Sequence, residues 1–519
     1  MTQAAVAERT QVRLAELVAA LSLGIDLGFG QPMEHVLRQC LIALRLADRV
    51  DLDEDGRSVV YYTALLVNVG CHSDAHEQAK WFGDDIAAKS GKYDGEQRGL
   101  RAAAAAVRMI GRGNTPLHRF RVGLEFAVSG RRDVEGMIER HASLAQTFAE
   151  RLGLPEAVQE AVGASYERWD GRGWPGALQG GAIPIASRLA QIAEYVEVAH
   201  RIGGVDAARS LARKRAGSQF DPSLSTILRA DADAILGDLD SSRTWDAVIA
   251  AEPSLRVVLA GDAVDDALRA IAEFVDLKSP YTLGHASAVS GLSGDTGSQL
   301  GLPEEDVRLL RRAGLVHDLG RLGVSNAIWD KRGPLGPGEW ERIRLHPYLT
   351  ERMLHQPVSL APLAEIAVQH RERLDGSGYP RGLSGGAISR PARILGAADA
   401  YRSMCEPRPH RPALTPDEAA AELRADVRAG RLDAAVVDAL LVAAGHRVAR
   451  RSERPAGLTA REVDVLRLVA RGLTSKEIAT QLVITPKTAR NHIEHIYTKI
   501  GASSRVEASL FAMRHGLID

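Results

Sequence analysis

Ala313-Gly314-Leu315-Val316-His317-Asp318-Leu319-Gly320-Arg321 sets an adjacent imidazole and carboxylate inside an apolar run. Read as helix, the run turns both side chains into a domain interior, where an uncompensated carboxylate is expensive. A lone buried histidine is most simply a hydrogen-bonded core residue, but this doublet has company. His285 stands about thirty residues upstream behind Gly284, and His346 precedes Pro347, each at an expected helix start. His370 leads into a glycine-rich stretch, and Asp399 interrupts the apolar segment Ile394–Ala400. Imidazole nitrogens and carboxylate oxygens suit divalent transition metals, and adjacent ligands on one helix can serve two ions at once. His285, His317, Asp318, His346, His370 and Asp399 are therefore the candidate metal ligands.

Working outward, apolar residues recur at three and four positions in Val12–Leu23, Val36–Ala47, Ala263–Val275, Val307–Leu315 and Val463–Ala470. Alternating β-branched runs are nearly absent, so the expected fold class is all-α. The Gly/Pro clusters Gly171–Gly181 and Gly376–Gly386 read as loops between helices.

Those loops expose an internal duplication. Glu167-Arg168-Trp169-Asp170-Gly171-Arg172-Gly173-Trp174-Pro175 matches Glu372-Arg373-Leu374-Asp375-Gly376-Ser377-Gly378-Tyr379-Pro380 at an offset of 205. The same offset sets His141 against His346 and Glu194 against Asp399. Upstream, an offset of 250 sets His35 against His285, Asn68 against Asp318 and Gly70 against Gly320. The offsets differ by 45, so the first copy carries that many extra residues between Asn68 and His141, expected around Gly70–Pro116. The repeat unit is too long for a solenoid and reads as two domains in tandem. The copies differ chemically. Val67-Asn68 stands where the second has His317-Asp318, and Ser165 where it has His370. The first copy is expected to keep the scaffold without a metal.

Residues 1–250 thus form a degenerate copy and 260–445 a metal-binding copy. Residues 446–457 form a short basic linker with Arg447, Arg450, Arg451 and Arg454, and 458–519 a last domain. The linker is either a solvated connector or a contributor of phosphate contacts. A chain of 519 residues has room for about three cores. The net charge of −1 excludes a general polyanion binder, so nucleic-acid affinity must sit in a local patch. Cys40, Cys71 and Cys405 make no disulfide framework, which fits a reducing cytoplasm. Met1–Arg13 lacks a signal-peptide pattern, and no run of about 18 apolar residues spans a membrane.

The last domain spells out its helix caps. Thr459-x-x-Glu462 and Thr474-x-x-Glu477 are capping boxes, and Thr485-Pro486 is an N-cap followed by proline. Gly501 closes that helix, and Ser503 or Ser504 caps the last one. Helix Lys476–Leu482, a three-residue turn and helix Pro486–Ile500 make a helix-turn-helix. Ile493, Ile496 and Ile500 are expected to face inward. Lys487, Thr488, Arg490, Asn491, Glu494 and His495 lie on other faces.

The second copy, over about 265–445, resembles an HD-GYP domain, a branch of the HD metal-dependent phosphohydrolases. The matching pieces are Gly284-His285, His317-Asp318-Leu319-Gly320-Arg321, His346-Pro347, His370 with Glu372, Gly378-Tyr379-Pro380 and Ala398-Asp399-Ala400. The resemblance implies an all-helical domain holding metals, commonly iron or manganese, in a family many of whose members hydrolyse cyclic di-GMP. It implies that His285, His317, Asp318 and Asp399 hold one ion, and that Asp318 bridges to a second held by His346 and His370. A shared hydroxide would then attack phosphorus. Asp318 and Arg321 become the catalytic candidates. Arg371, Gly378, Tyr379 and Pro380 become the substrate-binding ones.

Three departures stand out. Arg321 replaces the family's usual lysine. His370-Arg371 replaces two adjacent histidines, which costs the second ion a ligand and leaves Arg371 free for a substrate phosphate. Tyr281 stands where some members place a glutamate for a third metal, so one or two ions are expected.

The last domain resembles the LuxR-type DNA-binding domain. It does so through Leu458-Thr459-x-Arg461-Glu462, Gly472-Leu473-Thr474, Lys476-Glu477-Ile478-Ala479, Lys487-Thr488, His492, Lys499-Ile500-Gly501 and Gly516-Leu517-Ile518. The resemblance implies that the second helix of the motif enters the major groove and that the last helix pairs two subunits. Arg490 and Asn491 occupy base-reading positions, suited to guanine and adenine. Lys487 and Thr488 suit phosphate. Lys476, Glu494 and His495 complete the candidate DNA surface. The expected whole is a homodimeric DNA-binding transcription regulator carrying a metal-dependent phosphodiesterase for cyclic di-GMP or a related phosphodiester. The alternative is a regulator whose HD region is a non-hydrolytic metal or nucleotide sensor or a dimerisation module.

Overall fold

The computed structural model describes residues 11–93, 110, 116–126, 131–239, 243–446 and 455–518. The linker arginines 447, 450, 451 and 454 lie outside the described residues. The chain divides into two compact units, Met1–His446 and Arg447–Asp519. It is all-α, with two repeated helical regions in tandem followed by the helix-turn-helix. Among the described residues the only strands form a two-residue ribbon, Val12–Arg13 against Val258–Leu259. Val12 therefore belongs to a strand, not to the helix expected from it. Leu14 N donates to Val257 O, which holds the chain extended until the helix Leu14–Gly28 begins.

The duplication is visible element by element. His35 and His285 open the helices His35–Asp48 and His285–Gln299, and each follows a residue with left-handed backbone, Glu34 (φ 78) and Gly284 (φ 75). Asp26 and Asp276 each accept a hydrogen bond from the amide just after that histidine, Val36 N and Ala286 N. Asn68 and Asp318 each precede a 3-10 helix, Val69–His72 and Leu319–Gly323. Gly70 and Gly320 lie so close to the helix beneath that a Cβ would sit 2.2 Å from His141 O and 2.0 Å from His346 O. No other residue fits that approach. Glu167 and Glu372 each gather amides of the following glycine-rich loop, Gly176–Leu178 in one copy and Arg381 and Leu383 in the other.

The copies also interlock. The second copy's helix Asp262–Asp276 reaches the first copy, where Phe274 O lies 2.7 Å from His72 Nε2 and the Phe274 ring stacks on Phe148 at 4.4 Å. The first copy's helix Leu14–Gly28 in turn lies against Leu322 and Met353 of the second.

In the smaller unit the helices Ala460–Ala470, Ser475–Leu482, Pro486–Ile500 and Arg505–Arg514 enclose a core of Val465, Leu466, Ile478, Ala489, Ile496 and Ala508. Both capping boxes form, Thr485 caps the third helix, and Ser504 caps the last. Ile496 is buried, with Ile493 and Ile500 packed beside it.

Glu462 ties two of these helices together, accepting from Thr459 N at 2.7 Å and Lys499 Nζ at 2.8 Å. Burial pushes its pKa up, but Lys499 and the Thr459 amide outweigh it and hold it down at about 2, from an ordinary 4.5. A folded pKa below the unfolded one gives stability that is full above pH 4.5 and lost as pH falls through 2. Glu462→Gln should therefore cost about 1 kcal/mol at pH 7. The difference from wild type should close towards pH 2, as read by hydrogen exchange at the Val463–Val469 amides.

Candidate metal centre

The doublet does not lie inside a helix. The helix Glu304–Val316 stops one residue short, His317 is its C-terminal cap, and Asp318 leads into the 3-10 turn. The turn that follows carries Gly320 to its close approach to His346 O. Thr350 Oγ1 secures it, donating to His317 O (3.1 Å) and accepting from Gly320 N (2.8 Å). His285 and His346 each open a helix, His370 lies just past Ala361–Ala367, and Asp399 lies within Arg390–Cys405. All six side chains are at least 95% buried.

They converge on Asp318. Oδ1 lies 3.4 Å from His346 Nε2 and 3.7 Å from His370 Nε2. Oδ2 lies 3.7 Å from His317 Nε2 and 4.0 Å from His285 Nε2. Asp399 Oδ1 lies 3.4 Å from His285 Nε2 and 4.0 Å from His317 Nε2. Two groupings have metal-ligand spacing, His285–His317–Asp399 and His317–Asp318–His370.

The outer ring nitrogens show what the inner ones are for. Nδ1 of His317, His346 and His370 lies 2.6–2.7 Å from the carbonyls of Gly314, Ile343 and Ala367, so each Nδ1 donates and each Nε2 presents a lone pair inward. His285 Nδ1 is held by Glu406 Oε2 at 2.8 Å. His285 Nε2, His317 Nε2 and Asp318 Oδ1 are buried without a hydrogen-bond partner, and Asp399 Oδ2 faces only the Arg371 guanidinium. Inward lone pairs and orphaned carboxylate oxygens are a donor set for divalent cations, so the residues fit the metal.

The charges agree. Burial pushes the pKa of both carboxylates up, but their neighbours hold them well below the usual range: His317 and Arg321 beside Asp318, Arg371 and His285 beside Asp399. Burial pushes His370 well down, with Arg371 adding to the effect, and burial lowers His317 too. Burial thus favours the neutral, ligating form of both, whereas at His285 burial is outweighed by Asp399 and Glu406, which push it up to about 9.

Two arginines frame the site. Arg321 Nη1 donates to Asp318 Oδ2 at 3.1 Å, and its guanidinium lies 4.0 Å over the Trp329 ring. Arg371 is turned inward, with Nη2 3.2 Å from Asp399 Oδ2. The Tyr379 ring lies 6.1 Å from that of His346, which brings the Gly378-Tyr379-Pro380 loop to the centre's edge. Sequence reasoning missed Glu406. It is the C-terminal cap of the helix Arg390–Cys405, about two turns beyond Asp399.

Sequence reasoning also missed the cation that sits at the matching place in the first copy. Lys92, from the extra residues, places Nζ 2.6 Å from Glu194 Oε1 and 3.2 Å from Asn68 Oδ1, the counterparts of Asp399 and Asp318. Tyr93 Oη donates to Glu194 Oε1 at 2.9 Å. The rings of Phe29, Tyr93, Tyr166 and Tyr195 surround the ammonium at 5.6–5.7 Å. Burial opposes this charge, but Glu194 outweighs it and keeps Lys92 protonated. A tethered ammonium stands between the first copy's counterparts of Asp318 and Asp399.

In the smaller unit Lys476, Lys487, Thr488, Arg490, Asn491, Glu494 and His495 are all exposed. Thr488 shares its hydroxyl with the Thr485 cap at 2.7 Å. Among the described residues no helix is long and apolar enough to cross a membrane.

Comparison with known proteins follows the same division. A family model for the HD domain matches residues 95–224 and 269–436, and one for bacterial regulatory proteins of the luxR family matches 456–512. The 3'3'-cGAMP-specific phosphodiesterase 3 of Vibrio cholerae is 31% identical over 412 residues, 79% of this chain and 90% of that protein. The 3'3'-cGAMP-specific phosphodiesterase 1 of the same organism is 37% identical over 171 residues, 33% of this chain and 40% of that one. The cyclic di-GMP phosphodiesterase response regulator RpfG of Xanthomonas campestris is 36% identical over 179 residues, 34% and 47% respectively. The crystal structure of a cyclic GMP-AMP specific phosphodiesterase from V. cholerae is similar with a TM-score of 0.59 at 26% identity, covering 84% of this chain and 99% of that chain.

Proposed function

The chain belongs to the HD-domain family, and from that premise we propose that its second copy is a metal-dependent phosphodiesterase for 3'3'-linked cyclic dinucleotides, joined to a DNA reader in one transcription regulator. The observation that carries this reading is the set of inward Nε2 atoms around both oxygens of Asp318. His285, His317, Asp399 and one oxygen of Asp318 would hold one divalent ion, iron or manganese. The other oxygen, with His346 and His370, would hold the second. Bound metal supplies a Lewis acid for the phosphoryl oxygens and a water acidic enough to act as nucleophile at neutral pH. The protein's own part is to keep the imidazoles of His317, His346 and His370 in the ligating tautomer and to keep Asp318 ionised. Arg321 places positive charge beside Asp318, and the Gly378-Tyr379-Pro380 loop would border the substrate.

The substrate class follows from the relatives, which act on 3'3'-cGAMP or cyclic di-GMP. The full chain with Mn²⁺ or Fe²⁺ should convert at least one of these to a linear dinucleotide, seen by chromatography. The Arg371–Asp399 ion pair favours a second reading, because a guanidinium already neutralises one ligand carboxylate. On that sensor reading the same experiment gives tight nucleotide binding without product.

The helix-turn-helix unit would act as a homodimer on a two-fold symmetric site, each recognition helix reading one half-site. Arg490→Ala should cost about 1–3 kcal/mol and relax one position of the site. Lys487→Ala should weaken all sequences alike and lower the salt slope by about one. Binding selections with both variants at two salt concentrations check this, and an Arg490→Ala protein with unchanged sequence preference would refute the docking.

A further inference from the structure

The extra segment of the first copy does more than deliver Lys92. Its short helix Asp85–Ser90 carries Asp85 into the second copy, where the carboxylate is wholly buried. Oδ1 accepts from Ser325 Oγ at 2.7 Å and from Asn326 N at 2.8 Å. Oδ2 faces Lys89 Nζ at 3.2 Å and Lys278 Nζ at 3.4 Å. Ser325 caps the one-turn helix Asn326–Trp329. At the other end of that turn the Trp329 ring supports the Arg321 guanidinium and stands edge-on to His346 at 5.4 Å. Arg321 in turn holds Asp318.

The opposite side of the same region is also bounded by the first copy. Gly24 admits Leu322 and Met353 so closely that a Cβ there would lie 2.9 Å from Leu322 Cδ1 and 2.5 Å from Met353 Cε. Leu322 belongs to the 3-10 turn that follows Asp318, and Met353 to the helix that His346 opens. Within the contacts described, the second copy's own residues do not supply an acceptor for the Asn326 amide and the Ser325 hydroxyl together. A residue of the first copy does.

The geometry points to Asp85 as a positioning residue, lent by the first copy, for the Arg321–Asp318–His346 side of the second copy's metal centre. The contacts form one continuous path: Asp85 fixes the start of the Asn326–Trp329 turn, the turn fixes the Trp329 ring, and the ring fixes Arg321 and the His346 edge. Partners at this remove tune how ligands are held rather than holding the ion themselves. The decayed copy is retained, on this account, because the working copy is incomplete without it. The inference rests on reading the second copy as a metal centre, and not on turnover.

The test measures Mn²⁺ affinity of the full chain by electron paramagnetic resonance of free Mn²⁺, with circular dichroism to establish folding. Asp85→Ala should raise the Mn²⁺ dissociation constant about tenfold. Asp85→Asn should recover most of the loss, because its amide oxygen still accepts from Ser325 and Asn326. Arg151→Ala removes an ion pair to Glu273 that links the copies but touches no residue of this path, and it should leave Mn²⁺ affinity unchanged. Wild-type Mn²⁺ affinity in folded Asp85→Ala protein overturns the inference. If Asp85→Ala does not fold, Ser325→Ala takes its place and should weaken Mn²⁺ binding several-fold, and wild-type affinity there overturns the inference equally. A chain that shows this affinity pattern but cleaves no cyclic dinucleotide sinks the proposed reaction and leaves the positioning role standing. Cleavage with Mn²⁺ affinity indifferent to residues 85 and 325 does the reverse.

Discussion

Asp318→Ala should abolish cyclic dinucleotide hydrolysis, by about a thousandfold or more, and leave specific DNA binding at its wild-type strength. A loss of that size is on the order of 4 kcal/mol of transition-state stabilisation. The reason is position. Among the described residues Asp318 is the one carboxylate whose two oxygens face different pairs of imidazoles, His346 and His370 on one side, His317 and His285 on the other. Its removal takes away the carboxylate that stands between both pairs and leaves the Arg321 guanidinium without its partner. DNA binding should survive because the helix-turn-helix is a compact unit with its own core. Initial rates with Mn²⁺ and gel-shift titrations on one preparation give both readouts. Turnover within tenfold of wild type would remove Asp318 from the centre of the account.

Lys92→Met should be the most destabilising single change in the first copy, at about 3–5 kcal/mol. Methionine keeps the length of the side chain and its contact with the four rings but removes the charge. Glu194, 2% exposed, would then keep only Asn68 and Tyr93 as partners. An unpaired buried carboxylate costs far more than the net worth of the pair. Replacing both members, Lys92→Met with Glu194→Gln, should restore most of the loss. Thermal unfolding of the two proteins checks it, and a single variant within 1 kcal/mol of wild type would show that Lys92 is not the internal cation of this pocket.

The parts legible in the sequence were those carried by local chemistry. Ligand types at ordered spacings gave the six residues that the fold brings together. Cap residues gave the helix boundaries of the last domain, and paired glycine-rich loops gave the duplication. The parts that stayed hidden depend on contacts distant in sequence. The break at His317 and the close approach of Gly320 to His346 O that follows it are not revealed by helical periodicity alone. Lys92 lies in an insertion with no counterpart in the second copy, so alignment of the repeats passed over it. The contact of Arg371 with Asp399, a partner 28 positions away, is likewise invisible to local spacing. Asp85 speaks only once the copies are seen to interlock.

The central claim is that the chain's metal chemistry belongs to its second copy. Elemental analysis of the purified full chain tests it most directly, with wild type, His317→Ala and His141→Gln compared and each checked for folding by circular dichroism. The account predicts one or two equivalents of iron or manganese in wild type, the same content in His141→Gln, and a loss of at least one equivalent in His317→Ala. Metal that persists in full without His317, or that disappears with His141, would contradict it.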